Sequence, residues 1–209
     1  MKSFLVGIKI IFTAVCALAF LIPINVLAQT PFYVAIKPGV YFPQYSGLDT
    51  GLSGEVAFGY RFNPNLAAEF GLGFFNTKGE VTVPGSTNAV QDFHINVYPA
   101  TFTLKAILPY KKWEFFGLGG GGVYLVFRPY NYEDYDHHHH YDYDYDVIFG
   151  GYLGAGIQYN ITPRIFAGIE GKYLWTDKVK YRYGDTGAPL EAEFRLDGIT
   201  STLLVGFRF

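Results

Sequence analysis

Residues 199–209 read Ile-Thr-Ser-Thr-Leu-Leu-Val-Gly-Phe-Arg-Phe, and their alternation decides the fold class. Counting back from Phe209, the positions Phe207, Val205, Leu203, Ser201 and Ile199 are apolar or small. The positions between them, Arg208, Gly206, Thr202 and Thr200, are polar or small, with Leu204 the exception. A strand turns successive side chains to opposite faces, so the segment has one greasy face and one largely polar face. Such a strand can cover a soluble core, or it can stand between lipid and a polar interior.

The other end of the chain favours lipid. Lys2 and Lys9 precede an uncharged apolar run from Ile10 to Ile22, and Val26-Leu27-Ala28 has the character of a peptidase site. Pro23 and Asn25 cut the run short of the roughly twenty residues that a spanning helix needs. The expectation is a cleavable signal peptide over 1–28 and one domain over 29–209. Removal of the signal takes away the single Cys and single Met, so no disulfide stabilises the exported chain. It also takes two of the 16 basic residues against 18 acidic ones. The resulting acidic balance argues against a nucleic-acid partner.

Beyond residue 28 no helical period stands out, and no run of eighteen apolar residues remains. Eight alternating segments do: 32–42, 53–62, 66–75, 91–108, 113–127, 147–161, 165–175 and a last one beginning near Phe194. In the fourth the apolar parity changes, from Phe93, Ile95 and Val97 to Ala100, Phe102, Leu104 and Ala106. A bulge at Pro99 is the expected cause. The fifth contains Gly119–Gly122, which hides its facing. Tight turns follow segments two, four and six, at Asn63-Pro64-Asn65, Pro109-Tyr110-Lys111-Lys112 and Thr162-Pro163-Arg164. Long connections follow the odd-numbered segments. Alternating short and long links, with an even strand count, predict an all-β, eight-stranded antiparallel up-and-down transmembrane β-barrel with short periplasmic turns. The 18 Tyr and 20 Phe suit its interfacial girdles, and the 25 Gly suit close strand packing.

With the apolar parity on lipid, Lys37, Glu55, Glu69, Lys105, Glu170 and Lys172 point inward. Eight strands leave an interior that side chains fill, so ion pairs plugging the lumen are expected over a wide pore.

One loop is chemically distinctive. Residues 128–146 read RPYNYEDYDHHHHYDYDYD and hold four of the five histidines. Imidazoles and carboxylates ligate Zn²⁺, Ni²⁺ or Cu²⁺, so His137, His138, His139 and His140, flanked by Asp136 and Asp142, are the candidate metal ligands. The tract lacks the fixed spacing of a rigid site, so weak binding is expected and no obligate cofactor. Its Tyr-Asp alternation also fits strands prolonged beyond the membrane as a hairpin. His94, the remaining histidine, has no serine in its Phe93-His94-Ile95-Asn96 context, and Gly119–Gly122 lacks the Lys-Ser/Thr of a phosphate cradle. No catalytic residues are assigned.

The strand Trp113…Phe116-Gly117-Leu118-Gly119-Gly120-Gly121-Gly122 and the ending Val205-Gly206-Phe207-Arg208-Phe209 resemble the small outer-membrane β-barrel family. That group includes the OmpA transmembrane domain, OmpX-like and opacity-type barrels. The resemblance implies export through the periplasm to a bacterial outer membrane. It also implies recognition of Phe209, Phe207 and Val205 by the barrel assembly machinery. Expected partners are outer-membrane lipids, lipopolysaccharide and an extracellular surface partner. A non-enzymatic structural or surface-interaction role is the leading expectation. A narrow channel for ions or small solutes is the alternative, and a lipid-modifying enzyme comes third.

Overall fold

The computed structural model describes residues 31–82, 90–133, 139–183 and 190–209. The signal peptide expected over 1–28 lies outside them. Ten strands follow in order: β1 Phe32–Pro43, β2 Gly51–Asn63, β3 Leu66–Thr82, β4 Val90–Tyr110, β5 Trp113–Glu133, β6 His139–Asn160, β7 Ile165–Thr176, β8 Lys178–Tyr183, β9 Leu190–Arg195 and β10 Gly198–Arg208. Eight of them close into an antiparallel barrel in the order β1-β10-β7-β6-β5-β4-β3-β2, while β8 and β9 form a separate two-stranded sheet. Closure runs from Tyr33↔Arg208 to Pro43↔Gly198. In hydrocarbon no water satisfies a backbone edge, so a sheet crosses a membrane only when sealed in this way.

The facing of the terminal strand follows the alternation. Leu203 is 61% exposed and its neighbour Leu204 is 1% exposed. Ile199, Val205 and Phe207 are likewise exposed, while Thr202 and Arg208 are buried. Outward apolar residues that would be an error in water are the lipid-facing surface of a membrane barrel.

Two expectations are corrected. β4 does not change phase at Pro99: Leu72↔Ala100 and Phe75↔Val97 keep one offset, and the β4–β5 register runs unbroken from Asn96↔Phe127 to Tyr110↔Trp113. Ile95 and Val97 point inward with Thr101, Thr103 and Lys105. The apparent switch arises because the interior itself turns from polar to apolar at that height. Pro99, which has no N–H to donate, coincides only with a lapse in the β3–β4 ladder. The second correction concerns the last barrel strand, which starts at Gly198, because Phe194 belongs to the unforeseen β8–β9 hairpin. Asp197 ends that hairpin by accepting the Thr176 N–H through Oδ1 at 2.7 Å, and the Thr176 hydroxyl accepts the Leu196 N–H at 3.0 Å.

Strand length divides the barrel into two zones. β1, β2, β7 and β10 have 12, 13, 12 and 11 residues, close to the roughly 9–11 that cross a bilayer. β3 to β6 have 17, 21, 21 and 22, so they continue past the membrane on the long-loop side. The Tyr-Asp alternation lies in β6, registered against β5 through Arg128↔Asp144 and Tyr130↔Asp142.

Inward glycines make room for inward rings. A Cβ on Gly59 would fall 2.0 Å from the Tyr33 ring, on Gly206 2.1 Å from Phe166, and on Gly156 2.3 Å from Phe116. Each ring lies over a glycine of the adjoining strand, which is how large side chains fit so narrow a cylinder.

Candidate functional site

The six inward charges meet at mid-barrel. Lys37 Nζ on β1 lies 2.7 Å from Glu55 on β2, 2.8 Å from Glu69 on β3 and 3.3 Å from Glu170 on β7. Lys105 on β4 reaches Glu69 at 2.7 Å and Glu170 at 3.0 Å. Lys172 on β7 reaches Glu55 at 2.9 Å and Glu170 at 3.0 Å. Tyr33 donates its hydroxyl proton to Glu69 at 2.8 Å, and Lys105 Nζ stands 4.5 Å from the centre of the Phe116 ring. Isolated burial of any of these ions would cost several kcal/mol, yet every carboxylate here has at least two cationic neighbours. Three positive and three negative groups in mutual contact fill the axis of the barrel.

A second network lies toward the short turns. Glu114 on β5 accepts from Arg61 Nη1 at 3.0 Å, from Gln158 Nε2 at 2.6 Å and from Asn160 Nδ2 at 3.0 Å, and Arg208 Nη2 stands 3.4 Å away. Arg61 Nη2 also donates to the Pro64 carbonyl at 2.7 Å. Sequence reasoning missed this site because the glycine run hid the parity of β5. The two-residue link at Lys111-Lys112 carried the missing signal: pairing Tyr110 with Trp113 transfers the facing of β4 to β5 and turns Glu114 inward.

Above the mid-barrel charges the interior is apolar. Tyr41, Phe75, Ile95, Val97 and Val126 pack with Val179 of β8 and with Leu196, both fully buried. The Tyr41 hydroxyl donates to the Leu196 carbonyl at 3.0 Å, and the Tyr41 and Phe75 rings lie 4.5 Å apart. The β8–β9 segment therefore caps the mouth with a hydrophobic seal. Between seal and charges lies a small recess of about 50 Å³, lined by residues that include Ser53, Glu55, Pro99, Thr101, Tyr152 and Lys172. The Ser53 hydroxyl has no hydrogen-bond partner.

The candidate metal ligands fall elsewhere. Asp136, His137 and His138 lie outside the described residues. His139, His140 and Asp142 belong to β6, registered opposite Glu133, Tyr132 and Tyr130. Among the described residues no group of three His, Cys, Asp or Glu side chains is placed to hold a metal ion. His94 is exposed, on the parity opposite to Ile95 and Val97, and does not enter the lumen.

A sealed eight-stranded cylinder with an apolar exterior and a paired ionic interior defines a small outer-membrane barrel. The chain belongs to the outer membrane protein beta-barrel domain family, whose model matches residues 14–209, and it is a protein of the bacterial outer membrane. Solved structures share its fold. OprG of Pseudomonas aeruginosa is 14% identical, with 90% of this chain and 99% of that one covered and a TM-score of 0.63. A major outer membrane protein from Thermus thermophilus is 14% identical, with 86% and 99% covered and a TM-score of 0.58. Neisserial surface protein A is 13% identical, with 85% and 97% covered and a TM-score of 0.53. No curated protein matches the chain.

Proposed function

We propose that the protein is a closed, non-enzymatic outer-membrane barrel that serves envelope integrity or surface interaction through its prolonged outer hairpins. The observation that carries this reading is the ring of seven contacts among Lys37, Glu55, Glu69, Lys105, Glu170 and Lys172. Paired charges in contact plug a lumen, whereas a conduit keeps them apart. Reconstitution in planar bilayers tests it. The unmodified chain is expected to show no stable single-channel steps, and steps abolished by altering Lys105 or Glu170 would overturn the reading.

A second reading, passage of a small solute, is favoured by the recess beside Pro99 and its open hydroxyl at Ser53. Swelling of liposomes in small neutral solutes, with and without the protein, separates the two. Lipid A profiling of a deletion strain addresses an enzymatic role. The partners in this proposal are outer-membrane lipids, lipopolysaccharide, the assembly machinery at Phe209 and a surface ligand at the hairpins.

The histidine tract adds a separable property. His137–His140 with Asp136 and Asp142 are proposed to bind Zn²⁺ or Ni²⁺ weakly while the imidazoles are neutral. Calorimetry before and after replacing the four histidines by Ala tests this, and equal heats would end it.

A further inference from the structure

The barrel's short-turn end carries a charge pattern that neither interior network uses. Lys111 and Lys112 form the β4–β5 turn, and Arg164 lies in the neighbouring β6–β7 turn; all three are exposed. The two turns are tied together, because the Asn160 N–H donates to the Lys112 carbonyl at 2.7 Å. The carboxylate beside them, Glu114, is buried and engaged by Arg61, Arg208 and two amides, so it neutralises none of the three.

Directly toward the membrane from these cations stands an aromatic layer. The Trp113 and Tyr159 rings are 4.8 Å apart, Lys112 Nζ is 5.9 Å from the Tyr159 ring, and Lys111 Nζ is 5.5 Å from the Tyr110 ring. Beyond the aromatics the outer wall is apolar, with Leu108 and Phe115 exposed. Cation, aromatic and aliphatic layers in that order match the phosphate, glycerol-ester and acyl levels of a lipid. The periplasmic leaflet of an outer membrane is built of glycerophospholipids.

We propose that Lys111, Lys112 and Arg164, above Trp113 and Tyr159, form a binding site for the headgroup of an anionic glycerophospholipid. The choice of an anionic headgroup follows from charge. A zwitterionic lipid brings its own ammonium group beside the phosphate, and the cations of the two adjoining turns repel it. A phosphatidylglycerol brings only the phosphate charge and hydroxyls. The site fixes the height of the barrel in the bilayer at the end opposite the prolonged hairpins.

The chain has two tryptophans, Trp113 at this rim and Trp175 at the far end of β7, so fluorescence can address the site alone. The full chain carrying Trp175→Phe is reconstituted in vesicles with brominated phosphatidylglycerol or brominated phosphatidylcholine. Expected is quenching of Trp113 with an apparent affinity about fivefold higher for phosphatidylglycerol at low salt. The preference disappears in Lys111→Gln/Lys112→Gln/Arg164→Gln, and Trp175 in a Trp113→Phe chain shows none. Equal quenching by the two lipids, or a preference that survives the triple change, would overturn the proposal. Displacement by inorganic phosphate beyond a chloride control of equal ionic strength would also overturn it, by marking a site for free phosphate. The same triple change in the otherwise unaltered chain gives a second arm that needs no tryptophan substitution.

Discussion

Lys105 Nζ and Glu170 Oε2 meet at 3.0 Å across the lumen, from β4 and β7, three strands apart around the barrel. Neither strand pairs with the other, so this contact is a property of the closed cylinder. Removing one partner leaves a buried, uncompensated charge. Lys105→Met is therefore expected to destabilise the barrel by about 3–5 kcal/mol. Lys105→Met with Glu170→Gln restores the charge balance and is expected to recover a large part of the loss. Urea unfolding in lipid, followed by tryptophan emission, measures both. A double change as costly as the sum of its parts would show that the network does not act as a unit.

Glycine sites should divide by the face they occupy. Gly59→Ala drives a methyl group into the Tyr33 ring and is expected to cost about 1–3 kcal/mol. Gly54→Ala faces outward, with nothing within 4 Å of the added carbon, and is expected to be close to neutral. Midpoints from the same unfolding assay decide the contrast.

The seal over the mouth is expected to open locally. Leu196 is fully buried against Tyr41 and its neighbours, so Leu196→Ala removes packing worth about 2–5 kcal/mol. Hydrogen exchange should show lost protection in β8 and β9 while the amides of β1, β2 and β7 keep theirs. Uniform loss through the barrel would mean that seal and wall unfold together.

Lys111 has φ of 57°, the left-handed region that two-residue hairpins usually reserve for glycine or asparagine. Lys111→Gly is expected to gain up to about 1 kcal/mol, less the added entropy of the unfolded chain. A clear loss of stability would show that the lysine side chain holds the turn through its contact with Tyr110.

Much of this was legible in the residues. The parity of β1, β2, β3, β6, β7 and β10 follows from alternation, because lipid on one side and a packed polar interior on the other impose opposite chemistry on successive positions. Pro-Asn and Lys-Lys turns located the short links. The inward direction of the six mid-barrel charges followed from the same parity. Three features were hidden for physical reasons. Glycine has no side chain to report a face, so β5 and Glu114 stayed unassigned. Ile95 and Val97 are apolar yet point inward, because the upper interior is a hydrophobic seal. The β8–β9 hairpin is too short and too charged to stand out by period, and it is held in place by distant residues such as Tyr41 and Phe75.

The amino-acid order by itself determined that this chain forms strands with lipid on one face, how many of them build a wall, and which charges leave the water. Only the tertiary structure decided that those charges touch. Contact across a lumen depends on strand tilt, register and closure, which sum over the whole cylinder and leave no trace in any single segment. The same closure brings Val179 and Leu196 over the mouth and sets Lys112 beside Asn160 at the opposite rim.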